Sequence, residues 1–125
     1  MARIFVIDDD PELLMMVGMI LSRADHETKL DSDAVKGTQK VIEEKPDLLI
    51  LDLMMPHKSG FEVCRELREH DDLSDLPILI LTARTQEADR QAAFEAGAND
   101  YLTKPITSRQ LIKRVDNLLG GNNTA

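Results

Sequence analysis

Ile4-Phe5-Val6-Ile7-Asp8-Asp9-Asp10-Pro11 is the stretch on which the fold turns. Four apolar residues without polar alternation read as a strand covered on both faces, as in parallel sheets. Three acids end the run. Asp10 then stands where it can cap a helix, and Pro11 occupies the first helical position. A strand that runs through a carboxylate-bearing turn into a helix is one βα unit. The same pattern recurs twice downstream: Leu48-Leu49-Ile50-Leu51 ends at Asp52, and Ile78-Leu79-Ile80-Leu81 ends at Thr82. Weaker strand signals cover 27–30 and 100–103.

Between these runs the apolar spacing turns helical. Leu13, Leu14, Val17, Ile20 and Leu21 line one helix over 11–24, and further helices are predicted over 33–44, 59–70, 86–96 and 107–119. Gly97 and Gly120 follow the last two helices as C-terminal glycines. Five βα units in alternation predict an α/β fold, a doubly wound parallel sheet of the (βα)5 type with right-handed crossovers. A chain of 125 residues is long enough for one core. Residues 1–119 are read as that single domain, and 120–125 as a tail or the start of a linker.

Composition narrows the function classes. A net charge of -8 argues against direct nucleic-acid binding, which needs a basic face to neutralise phosphates. Cys64 is the one cysteine, so no internal disulfide can form. Phe61, Cys64 and Leu67 share helical spacing, and the thiol is read as core. The N-terminus has no signal-peptide pattern and no apolar run reaches membrane-spanning length, so the protein is expected to be cytoplasmic, without a membrane partner. His26, His57 and His70 show no metal-ligand spacing; His57, in the loop after Asp52, lies nearest a site. The pairs Met15-Met16 and Met54-Met55 are read as packing.

In an open α/β sheet, ligands bind beyond the carboxyl ends of the strands. Here those ends carry Asp8-Asp9-Asp10, Asp52 and Thr82, with Lys104 just after the last strand. Gathered carboxylates repel one another and call for a cation. Hard oxygen donors with room for water suit Mg²⁺. A hydroxyl and an ammonium beside them can hold phosphoryl oxygens, and a carboxylate can serve as the nucleophile. Any one of these residues alone is an ordinary turn former or solvated side chain. Together and in this order they describe a phosphoryl site.

The motifs Phe5-Val6-Ile7-Asp8-Asp9-Asp10-Pro11, Leu51-Asp52-Leu53-Met54-Met55-Pro56 with Gly60, Ile80-Leu81-Thr82-Ala83 and Gly97-Ala98-Asn99-Asp100-Tyr101-Leu102-Thr103-Lys104-Pro105 resemble the response-regulator receiver domain over residues 3–119. The resemblance implies a flavodoxin-like sheet in the order 2-1-3-4-5. It implies Asp52 as phosphoacceptor, with Mg²⁺ held by Asp8, Asp9, Asp52 and the backbone carbonyl of Met54. Lys104 would pair with Asp52 and then with the phosphoryl group. Thr82 would bond a phosphoryl oxygen, Tyr101 would be the switch aromatic, and Lys104-Pro105 would be cis. The phosphodonor would be a histidine kinase or phosphotransfer protein, and the output an effector or output domain that the sequence does not identify. On this reading the chain is a signalling switch and not an enzyme.

Three rivals fit less well. A haloacid-dehalogenase-like phosphatase would use Asp8-x-Asp10 but leaves Asp52, Thr82 and Lys104 unexplained. A flavin carrier would need a Ser/Thr/Gly-rich phosphate loop where three aspartates stand. A pseudo-receiver is at odds with the intact residue set. Arg90, Glu95, Asp100 and Arg114 also match receivers that dimerise through the fourth helix, fifth strand and fifth helix. Asp100 and Arg114 stand where they could pair across a two-fold axis there. Gln110 and Ile106 depart from that pattern, so a phosphorylation-dependent homodimer is expected to be weak.

Overall fold

The computed structural model describes residues 1–120; of the expected tail, 121–125 lie outside the described residues. The five strands are β1 (Arg3–Ile7), β2 (Glu27–Asp31), β3 (Leu48–Leu51), β4 (Ile78–Thr82) and β5 (Asp100–Thr103). The helices are α1 (Pro11–Arg23), α2 (Ala34–Glu44), α3 (Gly60–Arg68), α4 (Glu87–Ala96) and α5 (Ser108–Leu118), with a 3-10 turn at Asp71–Leu73. All strand pairs are parallel, in the order β2-β1-β3-β4-β5.

The continuous apolar runs are explained by the two helical layers. Ile4 and Val6 face one side with Leu48, Ile50, Leu79 and Leu81, where α1 and α5 bring Leu14, Val17, Leu21, Leu111 and Val115. Phe5 and Ile7 face the other side, where α2, α3 and α4 contribute Val41, Val63, Cys64, Leu67, Ala93 and Ala96. Each fully buried Val, Leu or Ile stabilises the fold by roughly 1.5–3 kcal/mol. A polar residue in β1, β3 or β4 would forfeit that on one face or the other. Cys64 is fully buried, and burial pushes its thiol up to about 11, as a core residue requires.

Helix starts follow their local chemistry. Asp10 Oδ1 accepts from the Glu12 amide, Asp33 Oδ1 caps α2, and Ser59 and Thr107 form capping boxes with Glu62 and Gln110. The helices end where expected at Gly97, whose φ of 120° only glycine adopts freely. The methionine reading needs correction. Met15 and Met19 are 66% and 52% exposed, and Met16 is also exposed, because the helix turns them away from the sheet that Leu14 and Val17 cover. Met54 is 51% exposed, while Met55 packs against the core.

Candidate functional site

Register brings the acids together. Ile7 lies opposite Leu51, so Asp8 and Asp52 leave neighbouring strands side by side. The Asp52 amide still donates to the Ile7 carbonyl, at 3.2 Å. On the other side, Thr82 is paired with Thr103 and its carbonyl accepts from the Lys104 amide at 2.8 Å. The Lys104-Pro105 peptide is cis.

Asp8 and Asp52 are buried, and Asp9 is exposed at the mouth. Each of the three offers a carboxylate oxygen within 4.8 Å of the others. This is a hard, all-oxygen donor set open to water on the Asp9 side, and it fits a small divalent cation such as Mg²⁺. The Lys104 ammonium lies between two of the acids, donating to Asp8 Oδ2 at 2.9 Å and to Asp52 Oδ2 at 3.3 Å. The sequence pointed to Asp52 as the lysine's partner; Asp8 is the nearer one. Asp8 is the more deeply buried carboxylate, and its Oδ1 already accepts from the Asp10 amide at 3.0 Å, which leaves Oδ2 for the ammonium.

Electrostatics reflect the crowding. Burial raises the Asp8 carboxyl above its ordinary range, against the pull of the Asp10 amide and Lys104. Burial works against the Lys104 charge too, but the hydrogen bond to Asp8 and the charge of Asp52 outweigh it and hold the ammonium above its ordinary value. Asp52 Oδ1 accepts from the Leu53 amide at 2.7 Å and more weakly from the Met54 amide at 3.4 Å. The carboxylate is thus oriented by its own turn on one oxygen and by Lys104 on the other.

Gly60 secures that turn from behind. Its amide donates to the Leu53 carbonyl at 2.9 Å, and a Cβ there would sit 2.3 Å from the Asp52 carbonyl oxygen. Thr82 is buried, and its Oγ1 accepts from the Arg84 amide at 3.3 Å, leaving the hydroxyl proton to donate elsewhere. Tyr101 is buried as well, and its hydroxyl donates to the Arg84 carbonyl at 2.9 Å. One peptide segment therefore meets both hydroxyls. His57 has a φ of 70° and is exposed in the loop, outside the carboxylate cluster.

A parallel sheet with acids, a threonine and a lysine at its carboxyl edge is the architecture of a phosphoryl-accepting switch, and the chain belongs to the response regulator receiver domain family, whose profile matches residues 4–116. Among its relatives is the DNA-binding dual master transcriptional regulator RpaA of Synechocystis sp., 41% identical over 119 residues, which cover 95% of this chain and 49% of RpaA. The chain spans about half the length of the curated relatives it matches. A putative response regulator from Chloroflexus aurantiacus superposes with a TM-score of 0.91 at 35% identity, covering 95% of this chain and 98% of that one. The receiver domain of sensor histidine kinase PA1611 from Pseudomonas aeruginosa, with magnesium coordinated in its active-site cleft, superposes at 0.88 with 25% identity, covering 95% and 98%. Among the described residues no helix is long and apolar enough to cross a membrane.

On the outer face, Arg90, Asp100 and Arg114, singled out from the sequence, already have partners within the chain. Arg114 Nη1 donates to Asp100 Oδ1 at 2.9 Å and to the Tyr101 carbonyl at 3.0 Å within one chain. The pair closes locally because α5 runs alongside β5, so it does not wait for a two-fold partner. Arg90 stacks over Phe94, 5.0 Å from the ring centroid, with Glu87 beside it at 3.8 Å. Sequence spacing also gave no sign of Arg68, whose role emerges only from the packing of α3 against the α4–β5 turn.

Proposed function

We propose that residues 1–119 form one receiver unit in which Asp52 accepts a phosphoryl group from a phosphohistidine, with Asp8, Asp9, Asp52 and the Met54 carbonyl holding Mg²⁺. The observation that carries this reading is the buried Asp52 carboxylate sharing one ammonium with Asp8, beside an exposed third acid. Bound Mg²⁺ would supply positive charge to the crowded carboxylates and to the oxygens of the incoming phosphoryl group.

The Asp52 carboxylate attacks phosphorus; a P–O bond forms as the P–N bond breaks, and the electron pair leaves on the imidazole. Lys104 moves from its two carboxylates to the phosphoryl oxygens as the charge on Asp52 is esterified. Thr82 donates its hydroxyl to another phosphoryl oxygen. The Arg84 segment, tied to Thr82 and Tyr101, then shifts with them and changes the α4–β5–α5 face that an effector, an output domain or a weakly paired second copy reads. No direct nucleic-acid contact is assigned to this acidic unit.

The donor, a histidine kinase or phosphotransfer protein, has an apolar approach. Met15, Met16, Met19 and Ile20 line a groove with Ile106, two residues beyond Lys104. Such a groove suits an apolar helical surface that presents a histidine to the cluster. Incubation with acetyl phosphate and Mg²⁺ should add one base-labile phosphoryl group, read by intact mass. Uptake at an unchanged rate by Asp52→Asn would refute the assignment.

A further inference from the structure

We propose that Arg68 makes the C-terminal end of α4 a fixed pivot, so that conformational change in this helix is confined to its N-terminal end. The part that concerns switching rests on the phosphoacceptor reading above; the clasp itself does not.

Arg68, in the last turn of α3, directs its guanidinium at two separate segments, the 3-10 turn and the α4–β5 turn. Nε and Nη2 donate to the Gly97 carbonyl at 3.1 and 2.7 Å, Nη1 donates to the Leu73 carbonyl at 2.8 Å, and Nη2 also reaches Asn99 Oδ1 at 2.8 Å. Asn99 Oδ1 in turn accepts from the Ile78 amide at 2.8 Å, which fastens the turn to the start of β4. The aliphatic stem lies against the same turn, since a Cβ at Gly97 would fall 2.7 Å from Arg68 Cγ. The planar, forked guanidinium serves both segments at once, whereas a lysine ammonium is a single point.

The other end of α4 is held differently. Residues 83–88 are all exposed, and Gln86 starts the helix with no side-chain capping bond. The buried residues of α4, Ala93 and Ala96, both lie in its C-terminal half. What restrains the N-terminal end is the Arg84 segment: its amide on Thr82 Oγ1, its carbonyl on the Tyr101 hydroxyl, and an Arg84–Asp89 pair at 3.4 Å. Two of these three restraints end on the switch hydroxyls. When Thr82 turns to a phosphoryl oxygen, the Arg84 segment tied to it is displaced at the N-terminal end, while Arg68 keeps all of its acceptors.

Residue-resolved amide exchange tests this on the whole chain, metal-free and with Mg²⁺ plus beryllofluoride as the phosphoryl mimic. In the metal-free protein, Arg68→Met should speed exchange at Gly97, Ala98 and Asn99 by about tenfold or more, with Arg68→Lys intermediate. In the wild type, beryllofluoride should alter exchange over residues 84–90 and leave 97–99 within about twofold; in Arg68→Met the change should spread to 97–99. Unchanged exchange at 97–99 in the metal-free variants overturns the clasp, and a wild-type response as large at 97–99 as at 84–90 overturns the pivot. If Arg68→Met does not fold, Arg68→Lys carries the same comparison, and wild-type rates at 97–99 overturn the clasp in the same way. A wild type inert to beryllofluoride refutes the phosphoacceptor reading instead, while the metal-free arm still decides the clasp.

Discussion

At the amino ends of the strands, arginines meet neutral carbonyls: Arg3 donates to Glu44 and Lys45 at 3.0 and 2.8 Å, and Arg68 gathers Leu73 and Gly97. At the carboxyl ends, three carboxylates gather and two of them share one ammonium. The first arrangement ties separate segments together through carbonyls that carry no net charge of their own. The second is short of positive charge and has Asp9 open to solvent. One end of the sheet therefore serves stability, and the other keeps an electrostatic deficit that a cation and a phosphoryl group can change.

If that division is right, substitutions at the two ends should separate cleanly. The largest effect expected is at Asp52: in Asp52→Asn, phosphoryl uptake from acetyl phosphate should fall by ~100-fold or more, an amide being no substitute for the nucleophilic carboxylate. Mass spectrometry over a time course reads it. At the opposite end, Arg68→Met should lower unfolding stability by about 3 kcal/mol, from lost charge-assisted bonds and stranded carbonyls, while leaving the response to Mg²⁺ intact. Denaturant melts with and without the ion would show whether those two effects are separable, and a lost Mg²⁺ response would blur the comparison.

Mg²⁺ itself should stabilise the wild type by about 2.7 kcal/mol at a hundredfold excess over its dissociation constant. Asp9→Ala should remove most of that gain, and equal melting temperatures with and without the ion in the wild type would contradict the metal assignment. In metal-free buffer Asp52→Asn should be the more stable protein, because one of the crowded charges is removed. A lower melting temperature for this variant would mean that Lys104 already balances the cluster. The smallest effect concerns Met54, exposed two residues past Asp52. Met54→Gln should shorten the phosphorylated lifetime by about threefold, a polar side chain orienting attacking water as one hydrogen bond's worth of help; an untouched dephosphorylation rate would show that this position does not flank the water's path.

The strands and the edge that bears the chemistry were legible because their signals are local. An unbroken apolar run announces burial on both faces, and its end announces the sheet edge, so Asp8, Asp52, Thr82 and Lys104 could be placed from spacing and pattern. Asp10, Ser59 and Thr107 declared helix starts through the capping chemistry they perform. What was hidden depends on which way a side chain turns and on what a distant segment offers. Helical spacing alone did not separate Met15 from Leu14, because an apolar pattern wider than the sheet leaves the rotation undecided. Arg68 looked like any last-turn arginine, since three of its four bonds reach residues 29 and 31 positions away. The Asp100–Arg114 pair was foreseen as a pair; that it closes within one chain is something spacing does not say.

Lys104 donates across 96 residues to Asp8 and across 52 to Asp52. During synthesis the three acids leave the ribosome well before their ammonium does. A chain that has made β1 and β3 but not β5 holds Asp8 and Asp52 without the ammonium that pairs with them, and without the Thr82–Thr103 register that aligns the edge. The acids are encoded first and their counter-charge last, so the cluster is balanced only in a domain whose fifth strand is in place.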